Sequence, residues 1–320
     1  MCFPLSPGAL WKVQYTGVSR VPFEHLRRDA SMYRNPRGGR VQASVTRVVV
    51  SALMLLMLLV GSAAAQNPIR LKQIRLCNGA DRASLDDRIG GCTALIDSAA
   101  EGPRVLIVAL NNRGNAYAAK GDYDRAIRDY DESIKLKPDY AKAFNNRGVV
   151  YRKRGEHDRA IQDFDNAIKL APNYAIAFAN RGEAYQRKGQ YDLATRDYDE
   201  AIRHEPNLEA AWNGRCWTRA IVGDLQAALA DCNQALRLKP EGAAAFDSRG
   251  LIYLKMGQLD SAIDDYGSAL RLDPKSANSL YGRGLAKLRK GDSAAGNADV
   301  AAAKAIEATI ADDFARYGVR

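Results

Sequence analysis

Glycine recurs at a spacing of 34 residues through most of the chain, and this period constrains the fold more than any other feature. The series comprises Gly114, Gly148, Gly182, Gly250 and Gly284, with Cys216 in the one position that breaks it. A second series follows seven residues later, at Gly121, Gly155, Gly189, Gly223, Gly257 and Gly291. Prolines close the first five units at Pro138, Pro172, Pro206, Pro240 and Pro274. A fixed period of this length predicts a solenoid of helical pairs.

Each unit has the pattern of two helices. In the first unit, Leu110, Gly114 and Tyr117 share one helical face, and Gly121 can leave that helix in a left-handed turn. A second helix then runs toward Pro138, which stops it. Its small residue is an alanine in the first five units: Ala126, Ala160, Ala194, Ala228 and Ala262. An aromatic residue follows one turn later in four of them: Tyr130, Phe164, Tyr198 and Tyr266. We therefore expect an all-α protein with closely packed helices.

The order of these residues resembles the tetratricopeptide repeat over residues 107–310. A large residue stands three positions before an arginine in every unit: Leu110, Phe144, Phe178, Trp212, Phe246 and Leu280. The resemblance implies a right-handed solenoid of six helix-turn-helix repeats. Residues 66–106 would form an N-terminal cap, a degenerate half-repeat, and residues 311–320 would end a C-terminal capping helix running from Ala298 to Tyr317.

The N-terminal segment has the pattern of an export signal. Four arginines precede the apolar run 48–60, and Ala63 and Ala65 form a small-residue cleavage motif. We expect a signal peptide over residues 32–65, cleaved after Ala65, and a gene-model extension over residues 1–31. The predicted location is periplasmic or secreted, with an uncleaved anchor as the alternative.

Removal of the signal also changes the charge of the chain. Residues 1–65 hold 8 of the 47 Lys and Arg residues and 2 of the 37 Asp and Glu residues, which leaves a net charge of +4. Because both signs are interspersed along the helices, the sequence does not predict binding to nucleic acid. No stable membrane span is expected after cleavage.

Four cysteines remain after residue 65, which suits an oxidising compartment. Three pairings are possible, and we favour Cys77 with Cys92 and Cys216 with Cys232. Each disulfide would close a short loop and stabilise the fold by up to ~3 kcal/mol. The alternative for Cys216 and Cys232 is two buried free thiols. Neither pair has the C-x-x-C spacing of a thiol oxidoreductase.

Arginine and aspartate recur together, sixteen residues apart, in all six units. The arginines are Arg113, Arg147, Arg181, Arg215, Arg249 and Arg283, and the aspartates are Asp129, Asp163, Asp197, Asp231, Asp265 and Asp299. In an antiparallel helical hairpin the two positions lie at similar heights, so we expect a ladder of structural ion pairs within or between repeats. The alternative is a charged recognition stripe.

The sequence offers no catalytic constellation, and we predict no enzyme activity, cofactor, metal or small-molecule substrate. His157 and His204 stand in different units, and no phosphate-binding loop, nucleophile elbow or zinc spacing is present. Recognition of a protein or peptide is the function that the resemblance implies.

In the resembled family, the first helix of each repeat lines a concave groove that holds a peptide or partner helix. The groove positions of repeats one to three are polar: Asn111, Asn112, Asn115, Lys142, Asn145, Asn146, Arg152, Asn180 and Glu183. Those of repeats four to six are apolar: Trp217, Ile221, Leu251, Leu254, Leu285 and Leu288. The apolar half could be an open partner surface, or it could be covered by a C-terminal helix with Ile306, Ile310 and Phe314.

The sequence thus predicts an exported scaffold that binds a protein or peptide partner in its groove without catalysis. The alternative is a structural component of an envelope complex that acts through self-stacking or through the ends of the repeat array.

Overall fold

The structure is a computed structural model, and it describes residues 68–80, 82–98 and 102–319. Over these residues the protein is entirely helical, with fifteen helices and no strand. The expected extension, signal peptide and cleavage site lie outside the described residues.

The helices follow one another as antiparallel neighbours in a solenoid. A first pair consists of α1 (68–77) and α2 (Leu85–Ile96). The six repeats consist of α3 (Pro103–Ala119) and α4 (Tyr123–Leu136), α5 (Ala141–Lys153) and α6 (His157–Leu170), α7 (Ala175–Arg187) and α8 (Tyr191–His204), α9 (Glu209–Val222) and α10 (Leu225–Leu238), α11 (Ala243–Lys255) and α12 (Leu259–Leu272), and α13 (Ala277–Arg289) and α14 (Ser293–Ile306). A short helix, α15 (Ile310–Arg316), follows.

Local sequence fixes where these helices begin and end. Gly121 adopts φ +80°, a left-handed conformation that glycine accepts without strain, and the five equivalent glycines are also left-handed. Asp122 then starts α4, since its side chain accepts a hydrogen bond from the N–H of Arg125 at 3.1 Å. α4 ends at Leu136, and the next residue, Lys137, is extended because Pro138 follows it.

A glycine facing an aromatic ring forms the core of four repeats. A Cβ added to Gly114 would lie 2.7 Å from the ring of Tyr130, and one added to Gly148 would lie 2.8 Å from the ring of Phe164. The helices therefore approach more closely than any larger residue would allow. In repeat six the ring is replaced by Val300, which packs against Gly284. Repeat four instead has a disulfide between Cys216 and Cys232.

The N-terminal segment contains two helices where the sequence predicts a degenerate half-repeat. A disulfide joins Cys77 on α1 to Cys92 on α2, with an S–S distance of 2.06 Å. Ser84 and Asp87 form a capping box at the start of α2. The buried cysteines pack with Ala109 of α3, so this pair continues the stack.

The C-terminal segment differs from the sequence prediction. The sequence predicts a single helix from Ala298 to Tyr317, and this prediction is wrong. The helix is interrupted between α14, which ends at Ile306, and α15, which begins at Ile310. Glu307 is extended with φ −138°, as Lys137 is at the end of α4, and it stops α14 even though Ala308 replaces the proline. Ile306 is 52% exposed and does not join the buried Ile310 and Phe314.

Candidate binding groove

Each of the six arginines forms a two-pronged ion pair with the aspartate sixteen residues later. In the first repeat, Nε and Nη2 of Arg113 each donate to one carboxylate oxygen of Asp129, both at 2.8 Å. The other pairs have the same geometry: Arg147 with Asp163, Arg181 with Asp197, Arg215 with Asp231, Arg249 with Asp265, and Arg283 with Asp299. These pairs tie the two helices of each repeat together.

The remaining arginine nitrogen, Nη1, bonds to the preceding repeat. Arg147 reaches Asp131 at 2.5 Å, and equivalent bonds join Arg181 to Asp165, Arg215 to Asp199 and Arg249 to Asn233. Burial alone lowers the pKa of Arg147, but its bonds to Asp163 and Asp131 outweigh that effect and raise the pKa above its usual range. Because these guanidinium groups are engaged on both sides, the geometry favours a structural ladder over a recognition stripe.

The asparagines of the predicted polar half bond to one another across repeats. Nδ2 of Asn180 donates to Oδ1 of Asn145 at 2.9 Å, and Nδ2 of Asn146 donates to Oδ1 of Asn111 at 3.0 Å. Asn145 donates to Asn146, and Asn111 to Asn112, within one helix. Asn112 donates to Asn78 beyond α1 at 3.1 Å. We call this continuous chain of amides the asparagine ladder: Asn180, Asn145, Asn146, Asn111, Asn112 and Asn78.

The other residues of the polar half have local partners or face solvent. Oδ1 of Asn115 accepts a hydrogen bond from the hydroxyl of Tyr130 at 2.7 Å. Arg152 forms an ion pair with Glu183 of the next repeat. Lys142 is exposed. Neighbouring residues thus already use donors and acceptors of most of this set, and peptide binding by the polar half stays a prediction.

The predicted apolar half is covered by the end of the chain. Leu251 and Leu254 are 4% and 0% exposed, in a cluster with Ile310, Phe314 and Val319. Ile221 and Leu285 pack against the same cluster. The ring of Trp217 meets that of Tyr317 edge to face, with centroids 5.3 Å apart.

Two further contacts define this cover. Nζ of Lys255 donates to the carbonyl of Tyr317 at 2.9 Å and to that of Ala220 at 2.6 Å. Leu288 lies against Gly296 of α14, away from the groove. Of the two alternatives, the covered core therefore describes Leu251, Leu254, Ile221 and Leu285. Trp217 remains partly exposed, and Leu288 packs on α14.

Between the asparagine ladder and the covered half lies an open cavity of about 750 Å³, which we call the central groove. Four first helices line it, through residues that include Glu183 on α7, Trp217 on α9, Asp247 on α11 and Asn278 on α13. Asn213 on α9 also lines it. Tyr317 completes its wall. This part of the concave face is neither filled by ladder amides nor covered by α15.

Asp247 is the most perturbed acid of the central groove. Its carboxylate accepts a hydrogen bond from the hydroxyl of Ser279 at 2.5 Å. Burial raises its pKa to about 6, an effect that the Ser279 bond only partly offsets. Asn213 and Asp247 escaped the sequence analysis. The signal that could have found them is the period itself, since they stand 34-residue multiples after Asn111 and Asn145.

The described residues contain no cluster of His, Cys, Asp and Glu suited to a metal ion. Among the helices described, none is long and apolar enough to cross a membrane.

Comparison with known proteins identifies the repeat. A family model described as TPR repeat matches residues 114–155 and 250–291, and one described as tetratricopeptide repeat matches residues 141–174 and 175–208. No curated protein matches the sequence significantly.

Solved structures share the fold. The structure is similar to one in the APC/C hetero-tetramer Cut9-Hcn1, with a TM-score of 0.62, 20% identity and a match over 74% of this chain and 50% of that chain. For a tetratricopeptide repeat protein from Parabacteroides merdae ATCC 43184 the TM-score is 0.60, with 18% identity over 78% and 98% of the chains. For PilW, a type IV pilus biogenesis factor, it is 0.57, with 20% identity over 62% and 93%. The chain thus spans about half the length of the first of these proteins.

Proposed function

Because the chain is a tetratricopeptide repeat protein, we propose that it is an exported scaffold that binds an extended segment of a partner protein in the central groove. The observation that carries this proposal is the cavity of about 750 Å³ on the face formed by α7, α9, α11 and the start of α13. Its size lies in the range typical of ligand sites. No chemical step is part of the proposed function.

The position of the central groove supports this choice over the rest of the concave face. On one side, the amides of the asparagine ladder are committed to each other, from Asn78 to Asn180. On the other side, Phe314 and Tyr317 lie over the leucines of α11. A partner segment in the central groove therefore displaces neither a hydrogen-bonded ladder nor a packed apolar cover.

The proposed location is the periplasm or the exterior of the cell. The signal-like segment over residues 32–65 supports export. The Cys77–Cys92 and Cys216–Cys232 disulfides support the same location, since structural disulfides persist in oxidising compartments.

One observation favours a second candidate, assembly through the N-terminal end of the repeat array. Ile69 and Leu71 on α1 are 62% and 54% exposed. An assembly role predicts association that depends on protein concentration and is lost in the Ile69→Glu, Leu71→Glu variant. A groove-binding role predicts that this variant retains its partner.

Crosslinking in the cell envelope tests the proposed function. The bait is the mature chain from Gln66 onward, compared with an Ala244→Trp variant, since Ala244 is an exposed residue lining the central groove. The matched control is Ala302→Trp on the exposed surface of α14. We expect a defined partner to be captured by the mature chain and the control and lost from Ala244→Trp. A partner that Ala244→Trp retains would contradict groove binding.

A further inference from the structure

The asparagine ladder follows a register that stops at the central groove. Two bonds of the ladder join the first helices of successive repeats, and in both the donor stands 35 residues after the acceptor. Asn146 donates to Asn111, and Asn180 donates to Asn145. The same register places Ser248 after Asn213 and Gly282 after Asp247. The donor atom of serine lies one bond closer to its backbone than that of asparagine, and glycine has no side chain at all. The donors that complete the ladder in repeats one to three are therefore missing in repeats four and five.

The missing donors leave two acceptors without their ladder partners. Oδ1 of Asn213 is shielded from solvent and accepts no hydrogen bond from any described residue. Asp247 accepts a hydrogen bond from the hydroxyl of Ser279, and among the described residues it has no ion-pair partner. A shielded acceptor and a poorly solvated carboxylate on neighbouring helices are both stabilised by an N–H donor, and most strongly by a positively charged one.

The charge of the central groove agrees with a cationic occupant. The acids lining it are Glu183, Glu209, Glu241 and Asp247, and the bases are Arg187 and Lys239. Both bases are exposed, so their charged ends can remain in solvent. Glu183 is already paired with Arg152. Asp247 has a pKa raised by burial and no cation of its own among the described residues.

The aromatic residues of the same cavity suit the apolar faces of a planar cation. Trp217 and Tyr317 both line the central groove, and their edge-to-face contact fixes the two rings against each other. A guanidinium group stacks on aromatic rings and presents a planar set of five N–H donors. In this cavity it thus offers N–H donors to Asp247 and Asn213 and a flat face to an aromatic ring.

We infer that the central groove binds a basic side chain of the partner segment, preferentially an arginine, with Asp247 as its counter-ion and Asn213 as its second acceptor. This inference rests on the proposed function, since it names the chemistry of the segment bound at the same site. It assigns repeats four and five the role of selecting the partner, whereas the ladder in repeats one to three stabilises the scaffold.

The test begins with selection of binding peptides from a random dodecapeptide display library on the mature chain. Each selected peptide is then synthesised with arginine and with citrulline, which has the same shape without the charge. The variant is Asp247→Asn, and the matched control is Asp264→Asn, an exposed aspartate on the α12 helix of the same repeat. Affinities are measured by calorimetry, and circular dichroism verifies that each variant is folded.

We expect the selected peptides to share a required arginine or lysine. Replacing that arginine by citrulline should weaken binding to the wild type and to Asp264→Asn by about tenfold or more, but weaken binding to Asp247→Asn by only about twofold or less.

Two outcomes would overturn the inference, and they separate it from the proposed function. Peptides that are lost in Ala244→Trp but bind equally well with citrulline would contradict the cationic preference while supporting the groove. A library that yields no peptide dependent on the groove, with Ala244→Trp binding as the wild type does, would contradict both.

Discussion

Cys216 and Cys232 form their disulfide at the two positions that a glycine and an aromatic ring occupy in the other central repeats. Gly148 and Phe164 stand at the equivalent positions of repeat two, where they are in close contact. The Cα atoms of the two cysteines are 5.3 Å apart, within the usual range for a disulfide. A covalent bond thus replaces a packing contact at the same place in the repeat.

This equivalence predicts the effect of replacing the disulfide by a glycine and an aromatic ring. The Cys216→Gly, Cys232→Phe variant should fold and lose much less stability than Cys216→Ser, Cys232→Ser, which lacks both the bond and the ring. For the serine variant we expect a loss of about 2 to 5 kcal/mol in the free energy of unfolding. Urea unfolding of both variants checks this. Equal losses would show that the ring does not substitute for the disulfide.

The series of bonds from arginine Nη1 to the preceding repeat has no acceptor side chain for Arg283. Gly267 stands at the position of Asp131, Asp165 and Asp199, so it offers Arg283 no side chain. Gly267→Asp should add the missing inter-repeat ion pair, since a Cβ there meets only Nη1 of Arg271, at 3.8 Å. The control Gly267→Ala gives the helical gain of about 0.5 to 1 kcal/mol. In thermal unfolding, the free energy of unfolding should be about 0 to 1 kcal/mol higher for Gly267→Asp than for Gly267→Ala. A less stable aspartate variant would contradict the prediction.

Phe314 holds α15 over the leucines of α11. It is 3% exposed, so Phe314→Ala should destabilise this cover by about 3 to 5 kcal/mol. Because α15 is terminal, the expected change is local opening, measured as faster hydrogen exchange in α15 and α11 with little change in α3 to α6. Ile306→Ala, at an exposed position of α14, is the control and should leave exchange unchanged. Unaltered exchange in Phe314→Ala would mean that the cover has another anchor.

The raised pKa of Asp247 predicts a pH dependence of stability. Burial raises its pKa from 3.8 to about 6 in the folded protein. Since the folded state binds the proton more tightly, stability falls as the pH rises through this window, by about 1 to 3 kcal/mol. Tyr266 and Tyr317 nearby have pKa values raised above 10 by burial, so they do not titrate there. Asp247→Asn should therefore gain stability relative to the wild type between pH 4 and pH 7 by this same order of magnitude. A constant difference over that range would contradict the raised pKa.

The 34-residue period predicts the paired helices of the six repeats and their turns, and it places each arginine at the height of the aspartate sixteen residues later. The favoured one of three possible cysteine pairings agrees with the two disulfides. Gly114 and Tyr130 meet because their spacing in the unit determines it. The surface was harder to predict, because contacts there join residues of different repeats. Asn146 of repeat two donates a hydrogen bond to Asn111 of repeat one. The positions of the two residues in their own repeats do not reveal this contact.

The sequence leaves open whether Leu251 is exposed or covered, for a related reason. The cover depends on where the chain goes after Glu307, and no repeat precedes it as a template. A helix break without proline or glycine carries little local signal, so the sequence predicts one long helix there. The 34-residue register does identify Asn213 and Asp247, but their importance follows only from Ser248 and Gly282 in the next repeats.

Site-specific photocrosslinking tests the central claim most directly. The photoreactive residue p-benzoylphenylalanine is placed at Ala244 in the central groove, or at Ala302 on α14, in the full chain expressed in cells. If a partner segment lies in the central groove, a discrete adduct should form from position 244 but not from position 302, and the crosslinked peptide should contain an arginine or lysine near the point of attachment. Equal adducts from both positions, or none from position 244, would contradict the central groove as the binding site.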